Sequence, residues 1–465
     1  DDKAPLNRTR DREVDIHHMK IDVTVDLKAE SVYGHVIHTL SPLSESLKTF
    51  TLDAEDMTIR RVRHKDKDIL FDHSGDKLYI TLDNEIGWSD TLNVRIDYTS
   101  FPRVGAFFVS PDETYPDKPW QAWTQGEDTD NHHWVPMYDY PNERNTFEIL
   151  LTVDKKFKAV SNGELKSVED NNDGTHTWHW HEHFPMVGYL MSFVVGEYVK
   201  IEDSYKDIPV NYWVYEENKN ETMRSFGLTT DMMRYFDEYT DVAYPYEKYD
   251  QIILDDFMFG GMENITLTHN TDRTMHDQFS VPDQSSVGLV AHELAHQWFG
   301  DMLTTRNWAN IWLNEGFARY CQALWAEHMF GREAYLEFMN NHAYYGAGTI
   351  YVENPSSNSQ IFSAGLSYNK ASWVLHMLRH KVGETMFFDI LKSYASNDSL
   401  SYNAASTSDF QKVCEDISGL DFEQFFQQWI YGEKYPKYEL SWWHEGNGIY
   451  NVKIDQVQSY NFFSM

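Results

Sequence analysis

Two histidines and a glutamate stand close together in the stretch VAHELAHQWF. His292 and His296 are four residues apart, and Glu293 directly follows the first of them. Residues four apart share one face of a helix, so both imidazoles can reach the same metal ion. Glu293 then lies beside the metal, where a carboxylate can take a proton from a water molecule that the metal activates. The stretch therefore predicts hydrolytic metal chemistry.

A third metal ligand is required, because catalytic zinc usually takes three protein ligands and leaves its fourth position open. The stretch WLNEGFARY provides Glu315 after eighteen intervening residues, at the start of the next segment with helical spacing. This spacing predicts one zinc ion per chain, held by His292, His296 and Glu315. The alternative is that the two histidines fill an apolar helix face, and Glu315 argues against it.

The segment that carries the histidines has the signals of a complete helix. Ser285 and Ser286 can cap its start, and Gly300 can end it. We therefore expect a helix between the serines and the glycine, with its apolar positions buried.

Two further stretches contain candidate binding residues. In DDFMFGGMENITLTHN, Gly260 and Gly261 allow another chain to approach closely, and Glu263 could meet a positive charge on an extended peptide. Taken alone, the glycine pair is more simply explained as a turn. In WTQGEDTDNHHW, Gln125 and Glu127 belong to an acidic group with aromatic neighbours, which by default is an exposed loop.

A rival metal site has to be considered in THTWHWHEHF. On a strand, His179, His181 and His183 would share one face, with the tryptophans on the other. No accompanying acid is evident that would act as a base. We therefore interpret these side chains, with His176, as a polar sheet face.

Together, the zinc motif and the glycine motif resemble those of the M1 family of zinc aminopeptidases, over most of the chain. The Gly-Gly form is most similar to the leukotriene hydrolase and aminopeptidase B branch. The resemblance implies zinc ligands at His292, His296 and Glu315 and a general base at Glu293. It also implies a substrate-binding motif, formed by Gly260, Gly261, Met262, Glu263 and Asn264.

The resemblance assigns further roles to single residues. The substrate's α-amino group is expected to be held by Glu263 together with Gln125 and Glu127. The tyrosine that stabilises the tetrahedral intermediate falls on Tyr368 in YNKA, where an alanine replaces the family's glycine. Phe259 directly precedes the Gly-Gly pair, at a position similar to one that lines the first side-chain pocket.

The remaining sequence indicates how these motifs are positioned. Residues 1–200 contain short alternating runs separated by turn residues, which predict a β-rich domain. Residues 201–434 show helical spacing and, by resemblance, form a thermolysin-like catalytic domain. Residues 435–465 alternate again around EGNG, which predicts a hairpin that caps the helical domain or begins a small β-sandwich. The expected fold class is multidomain α+β.

Composition restricts the partners. The 465 residues carry 73 acidic and 39 basic side chains, and this net charge of −34 repels nucleic acid. The longest apolar run, residues 188–196, is too short to span a membrane. Cys321 and Cys414 are expected to be free thiols. Because the chain starts at Asp1 without a methionine, an exported, processed protein is favoured over a cytoplasmic one.

These observations predict a zinc aminopeptidase that acts on peptides with a free N-terminus. A thermolysin-like endopeptidase would share the zinc motif but would need no anchor for an amine. A non-catalytic peptide-binding protein on the same fold would be expected to have lost a ligand or the base. The preferred N-terminal residue and the oligomeric state stay open.

Overall fold

The computed structural model describes residues 10–281, 283–355, 357–460 and 463. The predicted β-rich N-terminal region is confirmed. Its strands are β1 Val14–Asp26, β2 Ser31–Pro42, β3 Leu47–Asp53, β4 Met57–His64, β5 Lys67–Asp68, β6 Leu70–Ser74, β7 Lys77–Ile86, β8 Leu92–Ser100, β9 Ala106–Val109, β10 Gln121–Thr124, β11 Arg144–Asp154, β12 Lys158–Ser161, β13 Glu164–Asp170, β14 Thr175–Val187 and β15 Phe193–Gly196.

Three sheets make up this N-terminal region. The largest has the order β13-β14-β11-β1-β2-β8-β4-β5, and the others are β3-β7-β6 and β12-β15-β10-β9. Alternation explains the packing of β1, where Met19, Ile21, Val23 and Val25 are buried and the residues between them are not. A bulge between Ile16 and His18 keeps the apolar residues on the inner face.

A five-stranded sheet opens the region that the sequence predicted to be mainly helical. Its order is β16-β17-β18-β20-β19. The central strand, YDQIIL, is buried at every position between two parallel neighbours, so it lacks the alternation that reveals a strand. The strands are β16 Val199–Tyr205, β17 Ile208–Val214, β18 Tyr249–Leu254, β19 Gly261–Met262 and β20 Leu267–Thr271.

Helices dominate the chain after β17, between and beyond the remaining strands of this sheet, as predicted. A π-helix at Ala364–Lys370 leads directly into α7, and a short parallel pair joins β21 Leu303–Thr305 to β22 Asn403–Ala405. The α-helices are α1 Thr222–Phe226, α2 Thr229–Thr240, α3 Val287–His296, α4 Trp312–Phe330, α5 Arg332–Asn341, α6 Asn358–Ile361, α7 Ala371–Val382, α8 Glu384–Ala395, α9 Thr407–Ser418 and α10 Glu423–Trp429.

The predicted C-terminal hairpin is present as β23 Tyr438–Gly446 and β24 Ile449–Gln456. Its side chains are mostly exposed, and Trp442 is 69% exposed, so the hairpin does not cover the helical core. Both cysteines are free and buried, Cys321 in α4 and Cys414 in α9. Among the described helices, none is long and apolar enough to cross a membrane.

Candidate active site

Helices α3 and α4 bring the three predicted zinc ligands together. The Nε2 atoms of His292 and His296 are 3.2 Å apart. They lie 3.3 and 3.5 Å, respectively, from Oε2 of Glu315 in the first turn of α4. All three residues are buried, and we call them the catalytic-domain cluster.

This donor set fits a zinc ion. Zinc–ligand bonds of 2.0–2.1 Å in a tetrahedron place neighbouring ligand atoms about 3.3–3.4 Å apart, which is the spacing of the three atoms. Oε2 of Glu315 is buried without a hydrogen-bond partner among the described residues. Nδ1 of His296 lies 3.0 Å from the carbonyl oxygen of Phe299, a contact that directs Nε2 of the same ring towards the metal position.

The ends of α3 differ partly from the prediction. Ser285 accepts the backbone N–H of Val287 at 3.2 Å, whereas Ser286 donates its hydroxyl to Thr274 O instead of capping the helix. The expected end at Gly300 is wrong, because α3 ends at His296. The glycine has another use, since a Cβ there would lie 2.7 Å from Nδ1 of His296.

Burial and neighbouring carboxylates set the charges at this centre. Burial lowers the pKa of His292 to about 4, which leaves the imidazole neutral and able to bind a metal. Burial also opposes protonation of His296, but the charges of Glu263 and Glu315 outweigh it and raise this pKa. The pKa of Glu315 is lowered despite its burial, because the two histidine rings lie 3.3 and 3.5 Å from its carboxylate and favour the charged form.

Glu293 lies against the glycine motif. A Cβ added at Gly261 would stand 2.3 Å from Oε1 of Glu293, so only glycine lets strand β19 pass this carboxylate. Burial, and then the charge of Glu263, raises the pKa of Glu293 well above its ordinary value. A carboxyl group with a raised pKa is suited to accepting and returning a proton near neutral pH.

Two carboxylates from separate regions meet beside the predicted zinc ligands. Ligand oxygens of Glu127, Glu263 and Glu315 lie within 4.8 Å of one another. Glu263 is held by its backbone carbonyl, which accepts a hydrogen bond from Gln297 at 3.1 Å. Burial raises the pKa of both Glu127 and Glu263, and the charge of Glu263 adds to the shift at Glu127. This arrangement favours a cation between the two side chains.

Other residues of the predicted substrate site lie at different depths. One cleft of about 600 Å³ is lined by Glu127, Phe259, Met262 and Glu263 together with the predicted zinc ligands. Gln125 is buried behind the cleft wall, where its amide donates to the sulfur of Met262 at 3.1 Å. Asn264 is also fully buried and does not line the cleft.

Tyr368 lies in the π-helix and stacks on His292, with ring centroids 6.0 Å apart. The alanine that departs from the family motif is accommodated, because Ala371 packs on Gly316 of α4. A side chain at Gly316 would stand 2.5 Å from the methyl group of Ala371, so the close approach of α4 and α7 depends on this glycine. Tyr368 thus lies beside two of the predicted zinc ligands, His292 and Glu315, despite the substitution.

Sequence reasoning missed Arg319 and Gln322, which line the same cleft. Arg319 donates to the amide oxygen of Gln322 at 2.8 Å, and its guanidinium lies 5.7 Å from the ring centre of Tyr368. Helical spacing could have identified them, because they follow Glu315 by four and seven residues on α4.

The rival histidine stretch forms part of strand β14, as predicted, with Trp178 and Trp180 buried on the other face. An acid does accompany it, contrary to our expectation: Glu148 of β11 lies 2.6 Å from Nε2 of His179. Because Lys20 also donates to Glu148, this group is an ion-pair network.

A second group of two histidines and a glutamate lies in the N-terminal region. Nε2 of His132 and Nε2 of His133 lie 3.7 and 3.8 Å from Oε2 of Glu55. On the opposite ring atoms, Nδ1 of His132 faces Asp139 at 3.1 Å and Nδ1 of His133 faces Asp56 at 3.0 Å. We call Glu55, His132 and His133 the N-terminal cluster.

Comparison with known proteins gives consistent matches. The Peptidase M1 N-terminal domain matches residues 15–190, and the Peptidase family M1 domain matches residues 224–429. Human glutamyl aminopeptidase is 29% identical over 406 residues, which cover 82% of this chain and 39% of that protein. Aminopeptidase 2 of Candida albicans is 26% identical over 459 residues, covering 94% of this chain and 47% of that protein.

The fold also matches a solved structure. An M1 zinc metallopeptidase from Deinococcus radiodurans, an E323A mutant bound to a Tyr-Ser-Ala substrate, superimposes with a TM-score of 0.78 at 22% identity. The match covers 92% of this chain and 96% of that one. By contrast, this chain spans less than half the length of the two curated relatives above.

Proposed function

Because the chain belongs to peptidase family M1, we propose that it is a zinc aminopeptidase that removes the first residue of peptides with a free N-terminus. The observation that carries this proposal is the meeting of Glu127 and Glu263 beside Glu315, within 4.8 Å. An α-ammonium group between the two carboxylates is thereby placed next to the metal ligands. Only the first peptide bond then reaches the reacting position.

We assign separate catalytic roles to the metal ligands, Glu293 and Tyr368. Zinc held by His292, His296 and Glu315 would supply Lewis-acid activation of water and of the scissile carbonyl. Glu293 accepts the proton of the attacking water and later returns it to the leaving amine. Tyr368, which stacks on His292, donates its hydroxyl to the developing oxyanion.

Substrate positioning rests on charge. The pKa of a free α-amino group is near 7.7–8.0, so the group is largely protonated at neutral pH. Two buried carboxylates stabilise that charged form further, through charge-assisted hydrogen bonds. Among the described strands, the glycine strand β19 pairs with β20 alone, and an extended peptide can add to such an edge strand.

Glu127 and Glu263 form the site proposed for the substrate's α-ammonium group, which we call the amine pocket. This pocket distinguishes the aminopeptidase function from its alternatives. A thermolysin-like endopeptidase would have to leave the carboxylates of Glu127 and Glu263 buried without a cation, an arrangement that costs free energy. A non-catalytic peptide-binding protein would have no use for Glu293 beside an intact ligand set.

The deciding assay compares one peptide in its free and its N-acetylated form, with the products identified by mass spectrometry. We expect the free peptide to lose its first residue and the acetylated peptide to stay intact. Glu263→Ala should lower kcat/KM by about 10²-fold or more, since a buried charge-assisted contact is lost. Glu337→Ala, on the exposed face of α5, is the matched control and should leave kcat/KM unchanged.

One result would replace this function with the endopeptidase. It is efficient cleavage of the acetylated peptide at an internal bond, with the Glu263→Ala protein as active as the wild type.

A further inference from the structure

Arg319 carries the one guanidinium or ammonium group among the described residues that line the cleft, whose other ionisable side chains include four glutamates. Its hydrogen bond goes to the neutral amide of Gln322, and its Nε atom is buried without a partner among the described residues. Glu315, the nearest carboxylate along α4, is instead engaged with the two histidines. Among the described residues, no carboxylate forms an ion pair with the Arg319 guanidinium, although buried arginines usually have such a partner.

Arg319 and the amine pocket of Glu127 and Glu263 lie beside opposite ends of helix α3. Glu263 lies at the C-terminal end of α3, where its Oε1 is 3.7 Å from Nδ1 of His296. Gln322, the partner of Arg319, donates to the carbonyl of Gly288 at the N-terminal end of α3 at 2.7 Å. Eight residues of helix separate these two ends, a length of about 12 Å. The zinc ligand His292 and Glu293 lie between them.

The glycine motif gives the direction of the substrate. Gly260 faces Leu289, Gly261 faces Glu293, and Glu263 faces His296, so this segment runs alongside α3. A peptide whose ammonium lies at Glu263 and whose backbone follows the same strand therefore extends past Glu293 towards Leu289. Two extended residues span about 7 Å, which carries the second residue past Glu293 towards the Arg319 end of the cleft, within reach of its long side chain.

We propose that Arg319 binds a carboxylate on the leaving side of the scissile bond, which makes peptides with such a carboxylate preferred substrates. This inference rests on the proposed aminopeptidase function and specifies its substrate class. The carboxylate can be the side chain of aspartate or glutamate at the second position, or the terminal carboxylate of a dipeptide. Both present two oxygens to the planar donors of a guanidinium.

Another role for Arg319 makes different predictions. Its guanidinium lies 5.7 Å from the centre of the Tyr368 ring, so it could serve only to position the phenol. A positioning residue would affect turnover of every peptide equally. A carboxylate-binding residue affects acidic peptides selectively, mainly through KM.

The experiment uses two matched pairs of substrates with the zinc-loaded protein. Ala-Glu-Ala-amide and Ala-Gln-Ala-amide test the side chain, and Ala-Ala and Ala-Ala-amide test the terminal carboxylate. In at least one pair, we expect the wild type to have a kcat/KM roughly 10- to 100-fold higher for the peptide with the additional carboxylate. This ratio is the usual contribution of a charge-assisted hydrogen bond. Arg319→Gln should abolish the preference with little loss on the neutral peptides, and Arg319→Lys should keep part of it.

Controls separate this proposal from the function on which it rests. Arg234→Gln, on the exposed surface of α2, should keep the preference. Binding of all four peptides to a Glu293→Gln protein, measured by calorimetry with and without Arg319→Gln, tests the contact without turnover. Equal binding within both pairs, or equal loss of kcat on all peptides in Arg319→Gln, overturns the proposal. Failure to release alanine from the neutral peptides overturns the aminopeptidase function instead.

Discussion

A set of two histidines and a glutamate converges at two places in the described part of this protein. In the catalytic-domain cluster the three ligand atoms are 3.2–3.5 Å apart and buried. In the N-terminal cluster the histidines lie 3.7 and 3.8 Å from Glu55, whose side chain is 47% exposed. The distances between ligand atoms differ little between the two clusters. The difference in their chemistry must therefore come from the residues around them.

Charge balance is the main difference. Around His292 and His296 the carboxylates of Glu263, Glu293 and Glu315 leave an excess of buried negative charge. A divalent metal ion and a substrate ammonium are the cations that such an excess accommodates. The catalytic-domain cluster is therefore incomplete without its ligands.

The N-terminal cluster already has its cations. Burial lowers the pKa of His132, but the hydrogen bond and charge of Asp139 outweigh this and raise the pKa to about 9. His132 is thus protonated at neutral pH, and Asp53 nearby pairs with Arg10 and Lys77. We therefore expect an identical set of donors to form a metal site in one place and an ion-pair network in the other, because their surroundings differ in charge.

The largest expected effect tests this contrast by metal content. His296→Ala should reduce the zinc of the purified protein from about one equivalent per chain to nearly none, because one of three ligands is lost. His132→Ala should keep the full equivalent. Elemental analysis of the two variants beside the wild type measures this directly.

The reverse result would contradict the comparison. If His132→Ala lost an equivalent of metal while His296→Ala kept one, the N-terminal cluster would be the zinc site.

The second prediction compares two carboxylates that stand beside the histidines but outside the ligand sets. Glu293→Gln should retain zinc and fold while turnover falls by about 10²- to 10⁴-fold, the usual contribution of a general base. Asp56→Asn, beside His133, should leave turnover unchanged. Steady-state kinetics on a free peptide and the zinc content of each protein provide the measurement. Near-normal turnover of Glu293→Gln would mean that the base lies elsewhere.

The sequence allowed the catalytic-domain cluster to be predicted because its information is local. His292, Glu293 and His296 share one turn of helix, and Glu315 opens the next helix, so spacing alone brings them together. The N-terminal strands could also be predicted from the sequence, because their apolar residues alternate. Resemblance to a family added Glu263, Glu127 and Tyr368, whose roles remain predictions.

What escaped prediction depends on contacts between distant segments. The sheet around β18 has a strand buried on both faces, which leaves no periodic signal. The N-terminal cluster joins Glu55 to histidines 77 and 78 positions later, and no spacing rule connects them. The end of α3 was misplaced because Gly300 accommodates the ring of His296 instead of ending the helix.

The smallest expected effect concerns the pH dependence of stability at the N-terminal cluster. The pKa of His132 rises from 6.5 to about 9 on folding, so the folded state binds the proton more tightly than the unfolded state. Its contribution is fully present below pH 6.5 and is lost as the pH rises through about 9. His132→Gln should therefore be less stable than the wild type at pH 6, by about 2 kcal/mol after allowance for partial solvent exposure. By pH 10 the two proteins should differ little. Urea unfolding of both proteins across this range measures the difference. If the difference in free energy of unfolding between the two proteins did not change with pH, His132 would be held as a neutral side chain. The N-terminal cluster would then have the free imidazole that a metal site requires.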